Sequence, residues 1–251
     1  MKVVIHKDFL SLREELDRHI LNYDSLGKPF GNQARNSLKL FEIQGFILNV
    51  KSFKIPNFFN RISYRFFRKS KAQRSYEYAN KLLDSGIGTP RPIAFYEFTS
   101  PFFFHKSFYV SEQQESDYTY RDLTKRFDIP DYETILRAFT RFTYTLHEHH
   151  ILFLDHSPGN TLIRRTDGGY EFFLVDLNRM KFKPLDFKER IKNFARLTTH
   201  KSMVETMSDE YAKCIGEDYQ NVFSLMWRYT EDFQRKFQRK KRLKKRLKFW
   251  K

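Results

Sequence analysis

Residues 151–163 of the chain read ILFLDHSPGNTLI, and residues 170–178 read YEFFLVDLN. In the first stretch an apolar run ends at Asp155, and Asn160 follows five residues later. In the second stretch an apolar strand pattern ends at Asp176. A DGG triplet between the two stretches is typical of a tight turn. The order is therefore an acidic loop, a strand, a turn, a second strand and a second carboxylate.

The spacing of these three polar residues is that of a kinase catalytic loop followed by a metal-binding Asp. Phosphoryl transfer needs one carboxylate near the attacking hydroxyl, and an Asn and a second carboxylate that hold Mg²⁺ against ATP. Asp155 is thus the candidate catalytic base, and Asn160 and Asp176 are the candidate metal ligands. Because turn-forming residues occur in every fold, the prediction depends on the whole order of elements and not on D-x-x-x-x-N alone.

A lysine and a glutamate upstream extend the set. Lys51 ends the sequence LNVK and resembles the strand lysine of kinases, although a solvated surface lysine is the alternative. Glu77 is the only carboxylate between residues 57 and 83. A kinase needs such a helix carboxylate to hold its lysine, so we expect Glu77 to contact Lys51. The alternative for Glu77 is a surface pair with Lys81, four residues later.

The periodicity of apolar residues predicts strands first and helices later. Strands are predicted at residues 3–5, 37–43, 46–54, 90–96 and 106–111, and helices over 61–84, at least in its second half, over 131–149 and from about 186 onward. This order predicts an α+β, two-lobed protein-kinase-like fold. We expect an N-lobe of residues 1–113 with an antiparallel sheet and a helix, a mainly helical C-lobe of residues 114–232, and a basic amphipathic tail of residues 233–251.

The tail carries much of the net charge. Residues 235–251 hold eleven lysines and arginines and no acid, within a chain of net charge +16. Phe, Leu and Trp residues stand among these cations at loosely helical spacing. Such a helix is expected to lie on an anionic bilayer. A solvated charge run and a nucleic-acid surface are the alternatives, but no nucleic-acid-binding module is recognisable in the rest of the chain.

Composition also bears on location. No stretch approaches the ~20 apolar residues of a membrane span, and the first residues turn polar too early for a signal peptide. The single cysteine, Cys214, excludes an internal disulfide and favours a reducing compartment. We therefore expect a cytoplasmic protein.

Six motifs resemble one known family, the lipopolysaccharide kinases that phosphorylate Kdo or heptose in the inner core of the bacterial outer-membrane glycolipid. They are ARN at 34–36, VKSFK at 50–54, SYEYA at 75–79, GIGTPRPIA at 86–94, LDHSPGN at 154–160 and VDLNR at 175–179. The resemblance spans roughly residues 27–190. It implies a protein-kinase-like fold and ATP- and Mg²⁺-dependent phosphorylation of a sugar hydroxyl, most simply that of Kdo–lipid A, on the inner face of the bacterial inner membrane.

The resemblance also assigns roles. Lys51 would bind the ATP phosphates, Glu77 would position Lys51, Asp155 would be the catalytic base, and Asn160 and Asp176 would hold Mg²⁺. The nucleotide would further contact Gly31 and Asn32, in the loop of residues 27–36, and a hinge at residues 111–113 that includes Glu112 and Gln113.

The chain departs from protein kinases at several points. It has no G-x-G-x-x-G motif, Phe153 and Leu154 replace the usual His and Arg of the catalytic loop, and Leu177 and Asn178 replace Phe-Gly. These changes argue against a regulated protein kinase. They leave open another acceptor, such as heptose, a small molecule or a protein Ser/Thr, and a non-catalytic pseudokinase that serves as a binding module.

Overall fold

The computed structural model describes residues 1–31, 37–55 and 57–248, with side chains as far as residue 246. The chain forms two compact units. The first comprises Met1–Glu115 and Val175–Asn178, and the second comprises Ser116–Leu174 and Arg179–Lys251. The predicted domain limits at 113/114 and 232/233 stay predictions. The grouping differs from them at Val175–Asn178, because Asp176 in this segment pairs with a lysine of the first unit.

The first unit is built on a six-stranded antiparallel sheet. Its strands are β1 (Lys2–Ile5), β2 (Lys28–Pro29), β3 (Ser37–Ile43), β4 (Phe46–Phe53), β5 (Pro92–Thr99) and β6 (Phe104–Glu112), in the spatial order β1-β5-β6-β4-β3-β2. Its helices are a 3₁₀ helix (Lys7–Leu12), α1 (Arg13–Leu21), α2 (Phe58–Phe66) and α3 (Lys71–Asp84). The predicted helix in the second half of 61–84 is α3, and α2 is a separate helix before it.

Alternation along β4 divides the first unit into two layers. Leu48 and Val50 are buried in a cluster with Leu12 and Leu16 from the 3₁₀ helix and α1. Phe53, of the opposite parity, is buried with Ala72 of α3 and Phe95 of β5. Lys51 shares the parity of Phe53, so it lies on the sheet face that α3 covers.

The second unit is mainly helical. Its helices are α4 (Tyr120–Leu123), α5 (Tyr132–Glu148), α6 (Phe187–Asn193), a 3₁₀ helix (Phe194–Arg196), α7 (Lys201–Ile215) and α8 (Tyr219–Lys248). Its strands are β7 (Tyr118–Thr119), β8 (Ile151–Phe153), β9 (Thr161–Thr166), β10 (Gly169–Leu174) and β11 (Met180–Phe182), paired as β10-β9-β7 and β11-β8. The predicted order of strands first and helices later is confirmed.

Helix α5 anchors the core of the second unit. Its apolar stripe is largely buried, with Ile135, Phe139 and Leu146 each 0% exposed. Asp131 stands at the N-cap position of α5, but it is left-handed, with φ of 59°, and its side chain makes no capping hydrogen bond. Its carboxylate instead accepts a hydrogen bond from the Tyr170 hydroxyl at 3.1 Å.

The basic tail continues the long helix α8. Trp227 and Tyr229 pack against the core, whereas every side chain from 235 to 246 is exposed. The charged helix therefore extends from a buried base without burying an apolar face on the protein. Within the part of the chain that is described, no helix is both long and apolar enough to cross a membrane.

Candidate active site

In the first unit, Lys51 and Asp176 form a close ion pair. The Lys51 Nζ donates to Asp176 Oδ1 at 2.6 Å, and the two side chains are 14% and 35% exposed. The ammonium also lies 5.4 Å from the ring centroid of Phe53, the next residue on the same face of β4. Strand parity thus places the cation, and the carboxylate is brought to it from a segment 125 positions later.

The backbone of Asp176 is in an uncommon conformation. Its φ is 61°, in the left-handed region that Asp tolerates better than most residues. Asn178, two residues later, donates its Nδ2 to Asp176 Oδ1 at 2.7 Å. Such conformations persist only where surrounding contacts hold them, and they cluster at functional sites. The Leu177–Asn178 departure from Phe-Gly therefore supplies a hydrogen bond that fixes the carboxylate.

Glu77 has a different partner from the predicted one. Its two carboxylate oxygens accept hydrogen bonds from Lys69 at 2.7 and 2.9 Å, and Gln73 donates to Oε1 at 2.9 Å. Burial alone would raise the pKa of Glu77, but the donors Lys69 and Gln73 outweigh it and lower that pKa. Glu77 has these partners because they are close to it along the chain. Gln73 lies one helical turn before Glu77, and Lys69 lies just before the start of the helix. The expected Lys51–Glu77 contact is not among the ion pairs of the described residues.

The predicted nucleotide loop is described only in part. Gly31 follows β2 with φ of 65°, and the Phe30 amide donates to the Leu38 carbonyl at 2.9 Å. The segment is therefore the start of a hairpin between two strands. Asn32, and residues 34–36 of the family resemblance, lie outside the described residues.

The predicted hinge of residues 111–113 spans the end of β6, whose last residue is Glu112. The amides of Glu112 and Gln113 donate to the carbonyls of Arg91 and Ile47 at 2.9 and 2.8 Å. The Glu112 carboxylate pairs with Arg91 at 3.3 Å, and the Gln113 side chain accepts from Asn49 at 2.7 Å. Both amides are thus part of the sheet, so an adenine contact here would use other backbone groups.

In the second unit, Asp155 is held by two arginines. Its Oδ1 accepts from Arg179 at 3.0 Å and from Arg196 at 2.9 Å, and the carboxylate side chain is only 17% exposed. Arg196 also donates to the Leu154 carbonyl at 2.9 Å. The guanidinium of Arg196 stacks over Phe233 of α8, 5.6 Å from its centroid. Bonds at Oδ1 leave Oδ2 as the oxygen that can receive a proton.

Asn160 closes the same loop. Its Nδ2 donates to the Asp155 carbonyl at 2.8 Å, and its backbone amide donates to the Ser157 carbonyl at 2.9 Å. With Nδ2 engaged, Oδ1 is the side-chain group that can face a ligand. The five-residue spacing seen in the sequence therefore corresponds to a loop that folds back on its own acid.

A buried network supports the loop from behind. The His156 ring stacks on Phe139 at 5.4 Å with an interplanar angle of 9°. Asn193 donates to the Phe153 carbonyl at 2.9 Å and contacts His147 Nε2 at 3.2 Å, while His147 Nδ1 contacts the Tyr211 hydroxyl at 2.8 Å. Phe153 itself is 0% exposed. Apolar contacts and an amide thus hold the loop where a kinase has a His.

Burial governs the ionisation of both histidines. Burial, and then the positive charges of His147 and Arg196, lower the pKa of His156 to about 3. Burial lowers the pKa of His147 to about 4, although its hydrogen bond with Asn193 acts in the opposite direction. Both rings are therefore neutral at pH 7. Neutral rings suit a structural role in the core rather than proton transfer.

Local sequence patterns do not identify the residues that support Asp155. Arg196 and Asn193 lie 41 and 40 positions from the residues that they contact, beyond any local spacing rule. Arg179 was part of the quoted VDLNR motif, but nothing in the pattern indicated its partner. The absence of an Arg directly before Asp155 was the available signal, because it required the neutralising cation to come from elsewhere.

Another arginine lies beside the loop. A Cβ atom on Gly159 would stand 2.5 Å from the Nη2 of Arg121, so the missing side chain is what admits the guanidinium there. Arg121 is exposed, and no ion pair with a carboxylate of the described residues engages it. The guanidinium of Arg121 thus lies beside Gly159, the residue before Asn160, and it can pair with an anionic ligand.

Each of the two predicted metal ligands offers an oxygen, the kind of ligand that Mg²⁺ prefers. Mg²⁺ in kinases is bound through one or two protein oxygens and substrate phosphates, not by an all-protein cage. Asp176 supplies a carboxylate, and Asn160 supplies Oδ1. The described part of the chain holds no cluster of three His, Cys, Asp or Glu side chains that could form a cage. The roles of these two residues stay predictions.

Comparison with known proteins gives the family. Residues 57–224 match the model of the lipopolysaccharide kinase (Kdo/WaaP) family. A solved structure of WaaP in complex with acyl carrier protein has a TM-score of 0.61 and 18% identity, covering 92% of this chain and 99% of that one. The MAP kinase LmaMPK10 from Leishmania major has a TM-score of 0.49 and 16% identity, covering 86% and 65% respectively. A search of curated protein sequences gave no match.

The WaaP likeness confirms the predicted protein-kinase-like fold, with a sheet-rich first part and a helical second part. The family match covers more than half of the chain, and it includes the Glu77 helix, the Asp155 loop and Asp176. Kinases of this kind are phosphotransferases that use ATP, generally with a divalent metal. The chain therefore belongs to the lipopolysaccharide kinase (Kdo/WaaP) family and is a sugar kinase of the lipopolysaccharide core.

Proposed function

We propose that the chain transfers the γ-phosphoryl group of ATP to a hydroxyl of Kdo in Kdo–lipid A. The observation that carries the proposal is the Asp155 loop, in which two arginines fix one carboxylate oxygen and Asn160 closes the backbone. A general base must be held in one orientation to act on one hydroxyl. The loop supplies that orientation without the usual His-Arg pair.

Asp155 receives the proton in this reaction. The sugar oxygen attacks the γ-phosphorus, the bond from that phosphorus to the oxygen bridging the β-phosphate breaks, and ADP leaves. The hydroxyl proton passes to Asp155 Oδ2. Because the transition state is loose, positioning and charge neutralisation contribute most of the rate. Arg179 and Arg196 hold the carboxylate throughout, since both bind the other oxygen.

Lys51, Asp176 and Asn160 serve the nucleotide. Lys51 neutralises ATP phosphates, and its ion pair with Asp176 supports a shared location for cation and metal ligand. Asp176 and the Oδ1 of Asn160 would hold Mg²⁺, which would supply charge neutralisation at the ATP phosphates. Glu77 takes Lys51 as a partner during turnover, in exchange for Lys69. Gly31, Asn32 and the 112–113 backbone contact the rest of ATP.

Arg121 favours Kdo over heptose. Kdo carries a carboxylate and heptose does not. An arginine offers a planar pair of donors for a carboxylate, and Arg121 lies exposed at Gly159 of the catalytic loop. We assign Arg121 to the acceptor carboxylate.

The acceptor is embedded in a bilayer, so we place the protein on the inner face of the bacterial inner membrane, reached from the cytoplasm. The exposed cations of α8 support this location. Each Lys or Arg near an anionic surface contributes about 1 kcal/mol. The tail of residues 235–251 is thus the expected electrostatic anchor.

The test is phosphorylation with γ-labelled ATP and Mg²⁺, offering Kdo–lipid A, a heptosylated core and a generic protein in parallel. Label on Kdo–lipid A that disappears in Asp155→Ala supports the proposal. Arg121→Gln should raise KM for Kdo–lipid A about tenfold or more while KM for ATP is unchanged. Label on the heptosylated core or the protein alone would overturn the choice of acceptor.

A further inference from the structure

Helix α2 presents its apolar side away from the protein. Asn57 caps it, and the 100° step of a helix places Phe58, Phe59, Ile62 and Phe66 within one arc of about 100°. No residue of α2 is buried. Phe58, Phe59 and Phe66 are 57%, 81% and 54% exposed, and Phe67 at the C-cap is 82% exposed.

The polar side of α2 attaches it to the sheet. Arg61 Nε donates to the Phe104 carbonyl at 3.0 Å, and Arg65 Nε donates to the Ser100 carbonyl at 3.1 Å. The Arg61 guanidinium also lies 5.0 Å from the ring centroid of Phe103. An ordinary surface helix buries its apolar stripe and exposes its charges. Helix α2 has the reverse orientation, and arginine–carbonyl bonds fix it there.

The neighbouring turn adds to the same surface. Phe58 contacts Phe103 with centroids 5.6 Å apart, and Phe102 beside it is 70% exposed. We call the exposed side chains of Phe58, Phe59, Phe66, Phe67 and Phe102 the aromatic surface. Contiguous exposed apolar groups of this kind mark an interaction site.

The charge around the aromatic surface indicates its partner. Residues 54–76 contain seven lysines and arginines and no acid, and the first acid after them, Glu77, is neutralised by Lys69. Beside α2 lies a cavity of about 290 Å³, lined by Lys54 and Lys71 together with Asn57, Asn60 and Tyr64. Ammonium groups, amides and a phenol at a cavity of that size suit a phosphate-bearing headgroup.

We propose that the aromatic surface inserts into the headgroup region of an anionic bilayer, with its flanking cations on lipid phosphates. Aromatic rings prefer the membrane–water interface, and cations flank them in peripheral helices. The choice of a bilayer over a protein partner rests on the proposed function, because that function requires a membrane-embedded acceptor. The aromatic surface belongs to the first unit and the α8 tail to the second, so the first unit has a membrane contact of its own.

The experiment places a local probe in the full-length chain. Trp227→Phe and Trp250→Phe remove the native tryptophan signal, and Phe59→Trp then reports on α2. Phe127→Trp is the matched control, because Phe127 is 50% exposed but lies in the second unit. With phosphatidylglycerol–phosphatidylcholine vesicles, the tryptophan emission of the Phe59→Trp protein should shift to the blue and be quenched by brominated acyl chains. The emission of the Phe127→Trp protein should do neither.

Affinity gives the second measurement. Phe59→Ser with Phe67→Ser should weaken vesicle binding about tenfold or more, whereas Leu10→Ser with Leu21→Ser, at 56% and 64% exposure, should not. If the emission of the Phe59→Trp protein does not respond to anionic vesicles, the proposal is overturned, whatever the tail does. A blue shift without vesicles, with doubled mass in light scattering, indicates self-association and also overturns it.

Activity measurements distinguish a failure of the membrane contact from a failure of the proposed function. A deacylated Kdo acceptor is soluble and needs no membrane. The Phe59→Ser/Phe67→Ser protein should phosphorylate it at the wild-type rate and Kdo–lipid A in vesicles more slowly. If the wild type phosphorylates no acceptor, the proposed function fails while the vesicle measurements still decide the surface.

Discussion

Two carboxylates, Asp176 in the first unit and Asp155 in the second, are fixed in different ways. Asp176 has one lysine and one asparagine, and its own backbone is left-handed. Asp155 has two arginines on one oxygen, with a buried network behind its loop. The first is placed by a short motif and a strand lysine, and the second by side chains far along the chain.

The difference corresponds to different chemical demands. A metal ligand can exchange partners, because the charge of a metal can replace that of a lysine. A general base must keep one orientation while its proton moves. Two planar guanidinium donors suit the second demand, and a flexible ammonium suits the first. The predictions below test this contrast.

Removal of Asp155 should have the largest effect. Asp155→Ala is expected to lower kcat about 10³-fold with little change in KM for ATP, because the base acts on the acceptor hydroxyl. Asp176→Ala should change both constants if it serves the nucleotide. Steady-state kinetics with Kdo–lipid A measure this, and wild-type turnover in Asp155→Ala would sink the mechanism.

The loss of kcat on removing Arg196 or Arg179 should follow the number of contacts that each side chain makes. Arg196 binds both the Leu154 carbonyl and Asp155. Arg196→Met is therefore expected to lower kcat about 10²-fold, because the catalytic base is no longer held in position. Arg179 makes one bond to Asp155 and is 56% exposed, so Arg179→Met should lower kcat about tenfold or less. Arg196→Lys should not restore activity, because Lys lacks the planar guanidinium that stacks over Phe233. Equal effects at both positions would contradict this ranking.

Acid should destabilise the protein through its buried histidines. The folded pKa of His156 is about 3, below its ordinary value of 6.5, so its contribution to stability is fully present above about pH 6.5 and is lost as pH falls toward 3. Between about pH 7.5 and pH 5 this loss is about 2 kcal/mol, or about 30-fold in the folding equilibrium.

Denaturant titrations at the two pH values measure the loss. His156→Leu should lose about 2 kcal/mol less than the wild type over this interval, and His149→Leu, at an exposed position, is the control. Equal losses in wild type and His156→Leu would show that this ring does not govern acid stability.

The smallest effect is expected at Glu77, which we propose exchanges Lys69 for Lys51 during turnover. Glu77→Gln is expected to lower kcat about tenfold, because Lys51 loses its alternative carboxylate. Lys69→Gln should leave kcat unchanged or raise it, since it frees Glu77 for Lys51. Wild-type kinetics in Glu77→Gln, with normal ATP affinity, would assign Glu77 to surface pairing only.

The sequence was informative where chemistry depends on short spacing. Asp155, Asn160 and Asp176 could be selected as candidates because loop and strand lengths between them are set by local turn and strand rules. The face of β4 that carries Lys51 follows from two-residue alternation, since Leu48 and Val50 are buried on one face and Phe53 on the other. The order of strands and helices was sufficient for the fold class, because that fold is built from consecutive elements.

Only the tertiary structure decided the partners. Arg196 meets Asp155 across 41 positions, and Lys69 takes Glu77 in place of Lys51. The outward apolar side of α2 was equally hidden, because a helical pattern identifies an apolar side but not the direction in which it points. Periodicity describes one element at a time, whereas ion pairs and exposed faces depend on which elements the fold brings together. The sequence by itself therefore determined the chemistry available to this protein, and the tertiary structure determined which charges hold it in place.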